Sequence, residues 1–255
     1  MRKTSKILGL TATLFFMSNA QSSEVTLCAT TQTYSALEAI KEHAPVDYKV
    51  QYAFAEDLEA LVSDPKSPCQ AVISSDEKLP ILLVRSGKAS ISDMTQIARA
   101  PLILWSADPQ LLDDKASVVA KKQLKSLAIP KAELTPVGYA SAQIVSRRNF
   151  PTNYLKGHIY RAEHEYQVLA MVQGGNVQAG FLTKPLIMNS SGKTSGSYWQ
   201  TPRNLYPELG YYLIPLQKEK NKPEIIELCN YIRSSKAVMQ DFIASGFDRP
   251  LSQSK

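Results

Sequence analysis

Apolar and polar positions along this chain switch repeatedly between a two-residue and a three-to-four-residue period. Each switch predicts a strand giving way to a helix. "EVTLCAT" (24–30) reads as a strand, and "YSALEAIKEHA" (34–44) as a helix with Ala36, Leu37, Ile40 and Ala44 on one face. Pro45 ends it. "DYKVQYAF" alternates Tyr48, Val50 and Tyr52 as a strand, and "AEDLEALVSD" is a short helix stopped before Pro65. "QAVIS" is the next strand, and Asp76 opens the helix after it. This succession of β-α units argues for a parallel sheet with helices on both faces.

The alternation then resumes. "APLILW" (100–105) predicts a strand, and residues 109–130 predict a helix or two. A helix opens at Gly138 and carries Ala140, Ile144 and Val145 in its apolar stripe. "HIYRA" and "VQAGFLT" are strands flanking the helix "EYQVLAMVQGG", which stops at Gly174 and Gly175. After the turn-rich stretch 189–207 come the strand "GYYLIPL" and two closing helices, "PEIIELCNYIRS" and "AVMQDFIASGF". The closing helices have no strands of their own and must pack on a unit already built. The expected fold class is therefore α/β, with two lobes whose mixed, mostly parallel sheets are flanked by helices. Lobe I takes residues 21–104 plus 214–255, and lobe II takes residues 105–213. Leaving one lobe and returning to it makes two crossovers, hence a hinge and a cleft.

The first twenty residues stand apart. "MRKTSK" is basic, "ILGLTATLFF" is apolar, and "SNA" places small residues before a cut near Ala20. That is the pattern of a signal peptide, and the apolar run is too short to span a bilayer. Residues 1–20 are thus expected to be removed, with a periplasmic or secreted destination. The formal charge is +6, and losing Arg2, Lys3 and Lys6 brings it to +3. No basic cluster interleaved with aromatics occurs, which argues against a nucleic-acid partner. Of the three cysteines, Cys28, Cys69 and Cys229, at least one must be unpaired, and the spacing leaves the pairing open. There is no Gly-x-Ser-x-Gly elbow, no Gly-x-Gly-x-x-Gly and no Walker loop, so an enzyme is not expected.

Six segments, in order, carry a resemblance. They are "VTLCATTQTYSALEAI", "CQAVISSDEKL", "LAIPKAELTPVGYASAQIV", "EHEYQVLAMVQGGNVQAGFLT", "LGYYLIPL" and "NYIRSSKAVMQDFIASGF". Together the chain resembles the periplasmic molybdate-binding proteins, the type 2 solute-binding components of ATP-driven (ABC) importers. The resemblance implies a two-lobed periplasmic-binding-protein, or venus-flytrap, fold. It also implies a small-molecule or oxyanion solute, an inner-membrane ABC permease as partner, a monomer, and neither cofactor nor metal.

That family grips its tetrahedral dianion with two loop serines, two backbone N–H groups and a tyrosine. Carried over residue by residue, the first serine falls on Gln32, flanked by Thr31 and Thr33. The second falls on Ala55, followed by Glu56. The backbone donors fall on Val137 and Glu165, and the tyrosine on Thr183. These eight positions are the expected ligand-binding residues, and they depart from the family's pattern. A carboxylate in the cleft repels each unit of negative charge 4 Å away by about 4 kcal/mol at an effective dielectric near 20. Two lost hydrogen bonds to a charged ligand, at about 1.5–3 kcal/mol each, weaken binding by two to four decades. Tight molybdate binding is therefore not expected, and the acids at the rim point to a neutral, zwitterionic or cationic solute, or a weakly bound oxyanion.

Other readings of the same residues stay open at this point. Glu56 and Asp57 suit the first turn of a helix, where acids favour the dipole. His158 and His164 beside Glu163 and Glu165 lack a known metal-ligand spacing and suit a solvated turn. Arg147 and Arg148 end a helix. Trp105, Trp199, Tyr211 and Tyr212 suit either cleft or core. The alternative function is a diverged flytrap scaffold that acts through protein–protein contacts without a transport role. Filled lobes or a cleft plugged by Gln32 and Tyr34 would favour it.

Overall fold

The computed structural model describes residues 24–148, 150, 152–188 and 193–251. The expected signal segment 1–20 and its cut lie outside them. The described residues form two five-stranded sheets. The first has the order β2-β1-β3-β10-β4, built from β1 (Val25–Thr30), β2 (Tyr48–Ala53), β3 (Ala71–Ser74), β4 (Thr95–Arg99) and β10 (Gly210–Pro215). The second has the order β7-β6-β8-β5-β9, built from β5 (Leu102–Ser106), β6 (Leu127–Pro130), β7 (Ile159–Ala162), β8 (Ala179–Thr183) and β9 (Ser197–Gln200).

Both sheets follow one plan. In the first, β1 pairs in parallel with β2 and β3, and β10 runs antiparallel to β3 and β4. In the second, β6 pairs in parallel with β7 and β8, and β5 runs antiparallel to β8 and β9. Each sheet thus has a single reversed strand, and that strand is the one that has just crossed from the other half. The fold is α/β with mixed sheets in which most strands point the same way. The outgoing switch falls between Arg99 and Leu102, and the return between Gln200 and Gly210. The sequence reading had put these switches after residues 104 and 213.

The two crossings are tied together. Ala100 N donates to Leu209 O at 2.9 Å, and Thr201 N donates to Leu102 O at 3.1 Å. Arg99, only 8% exposed, donates through Nε to Arg249 O at 2.6 Å and lies 3.5 Å from Glu208. Arg203 forms an ion pair with Asp248. One buried apolar cluster includes Leu27, Leu37 and Leu213 of the first half and Leu104, Ile129 and Phe181 of the second. Ala100, Leu209 and Tyr211 belong to it at the crossings. Each half adds an outer layer of its own, around Leu58, Val72 and Leu83 in one and around Ile103, Val168 and Leu182 in the other.

Eight α-helices accompany the strands among the described residues. They are α1 (Tyr34–Lys41), α2 (Ala55–Ser63), α3 (Lys78–Arg85), α4 (Ser117–Ala120), α5 (Pro136–Val145), α6 (Glu165–Gln173), α7 (Pro223–Ser234) and α8 (Lys236–Ala244). The closing helices pack on the first half as expected, α7 against β4 and β10 and α8 against α1. Asp76 opens α3, its carboxylate accepting the N–H of Lys78 at 3.0 Å.

Three strands escape the sequence pattern: β4, β6 and β9. Leu127–Pro130 is buried throughout, so no alternation marks it. Residues 109–130 hold the one-turn helix α4 and then this strand. Helix α5 opens at Pro136 rather than at Gly138. Thr135 caps it through a 2.9 Å bond from Gly138 N, and Pro at the first position needs no donor. Gly138 has a different task. A Cβ there would lie 2.2 Å from Lys131 O, so only glycine lets the helix start sit against the end of β6.

Cys28 and Cys69 are joined in a disulfide across 41 residues, and Cys229 is a buried free thiol. Burial pushes the Cys229 thiol up to about 11.

Candidate functional site

Open α/β sheets present ligands at the carboxyl ends of their parallel strands, where helices begin and leave N–H groups free. Here such ends from both sheets meet. After β1 the chain makes a 3-10 turn, Thr31–Thr33. After β2, Phe54 leads into α2, and after β6, Thr135 leads into α5. After β7, His164 leads into α6. Between them lies a cavity of about 20 Å³, room for roughly one water. The first half supplies Gln32, Phe54, Ala55, Glu56 and Ser75 to its wall. The second supplies Thr135, Val137, His164, Glu165, Tyr166 and Thr183. Leu209 and Tyr211, at the returning crossover, complete it.

The structure therefore brings together Gln32, Ala55, Glu56, Val137, Glu165 and Thr183 from positions far apart in the chain. Glu165 sits among them at 2% exposure. Its Oε2 accepts the backbone N–H of Thr183 at 2.6 Å and the Thr183 hydroxyl at 2.8 Å. Its Oε1 accepts from Gln32 Nε2 at 2.6 Å, a bond that spans the two halves. Burial is the dominant influence on this carboxyl and raises its pKa above the usual range, with the Gln32 and Thr183 donors pulling the other way. An N–H, a hydroxyl and an amide thus converge on one buried carboxyl.

Thr33 is not part of the wall. It is fully buried, and its hydroxyl donates to Thr30 O at 2.7 Å. Thr31 faces a neighbouring chamber of about 380 Å³. Gln32, Phe54 and Tyr166 line both spaces. Tyr34 and Tyr52 also line the chamber, with Pro185, Leu186 and Met188 on the opposite side. Tyr34 stands on the chamber wall at 57% exposure.

Phe54 and Tyr166 were missed by sequence reasoning, although each is next to a candidate, Ala55 and Glu165. Phe54 stacks on His164 with ring centres 4.4 Å apart and lies 5.3 Å from Tyr166. This aromatic contact is a second link between the halves. Several buried polar atoms here have no protein partner: Thr30 Oγ1, Thr31 Oγ1, Gln32 Oε1 and His164 Nδ1.

The other side chains that admitted two readings fall as follows. Trp105 is core, its Nε1 donating to Ser195 O at 2.6 Å. Trp199 packs partly buried against the main cluster. Tyr211 is buried and lines the small cavity, whereas the Tyr212 hydroxyl donates to Glu77 at 2.6 Å. Arg147 donates to Leu205 O at 2.9 Å. Among the described residues no cluster of three or more His, Cys, Asp or Glu is placed to hold a metal ion. None of the helices there is long and apolar enough to cross a membrane.

Comparisons with known proteins agree with this architecture. A family profile described as bacterial extracellular solute-binding protein matches residues 29–247. The chain is 27% identical over 171 residues to the molybdate-binding protein ModA of Azotobacter vinelandii, covering 67% of this chain and 68% of that one. It is 29% identical over 140 residues to the molybdate-binding protein ModA of Rhodobacter capsulatus, covering 55% of this chain and 54% of that one. Among solved structures, the Azotobacter vinelandii periplasmic molybdate-binding protein superposes with a TM-score of 0.76 at 22% identity. That match covers 89% of this chain and all of the other.

Proposed function

This chain belongs to the bacterial extracellular solute-binding proteins, and from that premise we propose that it captures a small solute between its two halves and delivers it to an ATP-driven importer. In this reading residues 1–20 are a signal peptide, the protein works outside the cytoplasm, and the halves act as lobes about the paired crossings. The Cys28–Cys69 disulfide fits an oxidising compartment. The task is binding without catalysis.

One observation carries the reading. Strand ends and helix starts from both sheets converge on one place, and Gln32 and Glu165 join across it. A solute entering there would part the Gln32–Glu165 bond and contact both halves at once, which would couple capture to closure.

The relatives named for molybdate do not pass on that preference unchanged. Glu165 already takes the donors an oxyanion needs, and in its carboxylate form it also repels a dianion by about 8 kcal/mol at 4 Å and an effective dielectric near 20. These features favour a neutral, zwitterionic or cationic solute, or an oxyanion held only weakly.

Thermal-shift and calorimetric titrations with molybdate, tungstate, sulfate, phosphate, amino acids and small amines test the reading. Saturable stabilisation by an uncharged, zwitterionic or cationic compound is expected. Nanomolar molybdate binding overturns the charge argument, and a protein stabilised by none of these solutes overturns capture itself.

A further inference from the structure

Three consecutive residues of the second half, His164, Glu165 and Tyr166, grip two residues of the first, Gln32 and Phe54. The His164 ring stacks on Phe54 with centres 4.4 Å apart, and Tyr166 tilts against the same ring at 5.3 Å. Between them the Glu165 carboxyl meets the Gln32 side chain at 2.6 Å. Gln32 follows β1 and Phe54 follows β2, so the grip falls on neighbouring strand ends of one sheet.

The middle residue is the unusual one. A glutamate that opens a helix ordinarily lies in water, where it favours the dipole. Glu165 is the first residue of α6 and is only 2% exposed. The groups bonded to it, from Gln32 and Thr183, are neutral. Burying a carboxyl with neutral partners alone costs stability, and acids held this way concentrate at sites that act.

Gln32 suits this partner in either charge state. Its amide donates an N–H to a carboxylate, or turns its carbonyl to accept the O–H of the neutral acid. The hold between the halves therefore survives protonation of Glu165. The cavity that these residues enclose has room for roughly one water, so no larger solute enters until the grip is released. Release frees the Thr183 N–H and hydroxyl, which now lie on the carboxyl.

We propose that Glu165 is a built-in ligand: its side chain occupies the seat between the halves and, with its two neighbours on Phe54, latches them closed until a solute displaces it. The inference rests on the reading that a solute is captured between the halves, and it adds what that solute must compete with. A displacing group has to accept hydrogen bonds from Thr183 as this carboxyl does.

Small-angle X-ray scattering of the purified protein at pH 7 reads closure with the solute still unidentified. Wild type is expected to scatter as the compact form. Gln32→Met, Phe54→Ala and Glu165→Ala should each shift to a larger radius of gyration and maximum dimension, with an unchanged far-ultraviolet circular dichroism spectrum. Tyr160→Ala, at an exposed ring of β7, should scatter as wild type does. Acetate matches the piece that Glu165→Ala removes. It should return that variant to the compact form and leave Gln32→Met open. Wild type that is already extended overturns the proposal, as do three variants as compact as wild type, or a Glu165→Ala protein that acetate does not close. Gln32→Met and Phe54→Ala, both at partly exposed positions, carry the test if Glu165→Ala does not fold. If a solute binds in the titrations while the variants stay compact, the latch fails and capture stands. If none binds, capture fails and this inference with it.

Discussion

Gln32 and Glu165 are 133 residues apart in the chain, and a hydrogen bond of 2.6 Å from the glutamine amide to the carboxylate joins them. Each belongs to a different sheet's set of loops. The bond closes the small cavity and gives one half a polar hold on the other. Thr183 completes the arrangement with its N–H and hydroxyl on the second carboxylate oxygen.

The buried carboxyl makes stability depend on pH in an uncommon direction. The pKa of Glu165 is raised above 4.5, mainly by burial. Between the ordinary value and the raised one, the folded protein holds a proton that the unfolded chain has released. Its contribution therefore falls as pH rises through that window and is regained as pH drops. Tyr166 and Tyr211, next to it, are both pushed above the ordinary phenol range by burial and stay neutral there. Urea midpoints of wild type relative to Glu165→Gln should decline from pH 4.5 upward. A difference that is flat, or that rises with pH, rejects the assignment.

Gln32→Ala removes one donor from a buried carboxylate. Hydrogen bonds to charged groups contribute about 1.5–3 kcal/mol, more than those to a neutral acid. The loss in the variant should therefore grow as pH rises through the raised pKa of Glu165. Chemical denaturation from pH 4.5 to pH 9 reads the profile, and a loss that is flat across it contradicts the argument.

Glu165→Ala vacates the carboxylate while keeping the Thr183 N–H, the Thr183 hydroxyl and the Gln32 amide. Those donors should then accept an external anion. Formate, molybdate or sulfate is expected to raise the melting temperature of the variant and leave wild type unmoved. An equal response in the two proteins shows that Glu165 does not hold the seat.

The disulfide closes a loop spanning 41 residues between Cys28 and Cys69. By loop-closure entropy its removal costs about 4 kcal/mol, or roughly 8–16 °C in melting temperature for a protein of this size. The Cys28→Ala/Cys69→Ala double variant measures this by calorimetry. Native Cys229, buried and with its thiol raised to about 11, should resist iodoacetamide at pH 8 until the fold is opened. Rapid alkylation of the folded protein would place it differently.

Most elements were legible because burial leaves a periodic trace in the sequence. Leu58 and Val62 mark α2 one helical turn apart, and Pro65 and Gly174 punctuate the helices they end. Strands β4, β6 and β9 were not, since short runs buried on both faces, or Thr- and Gln-bearing edges, carry no distinctive period. The eight candidate positions came from resemblance, and the tertiary structure sorted them. It set Thr33 against Thr30 O, turned Thr31 toward the chamber, and left Glu56 at the exposed rim of the cavity.

What the sequence determined by itself is the succession of β-α units and their division between two sheets. Those are local facts of period and residue type. Only the tertiary structure decided that Glu165 points inward, that Gln32 reaches it, and that Phe54, His164 and Tyr166 pack together from opposite halves. The side-chain direction at a helix start depends on what the opposite half presents, and those partners are brought within 3 Å only by the two crossings that join the sheets.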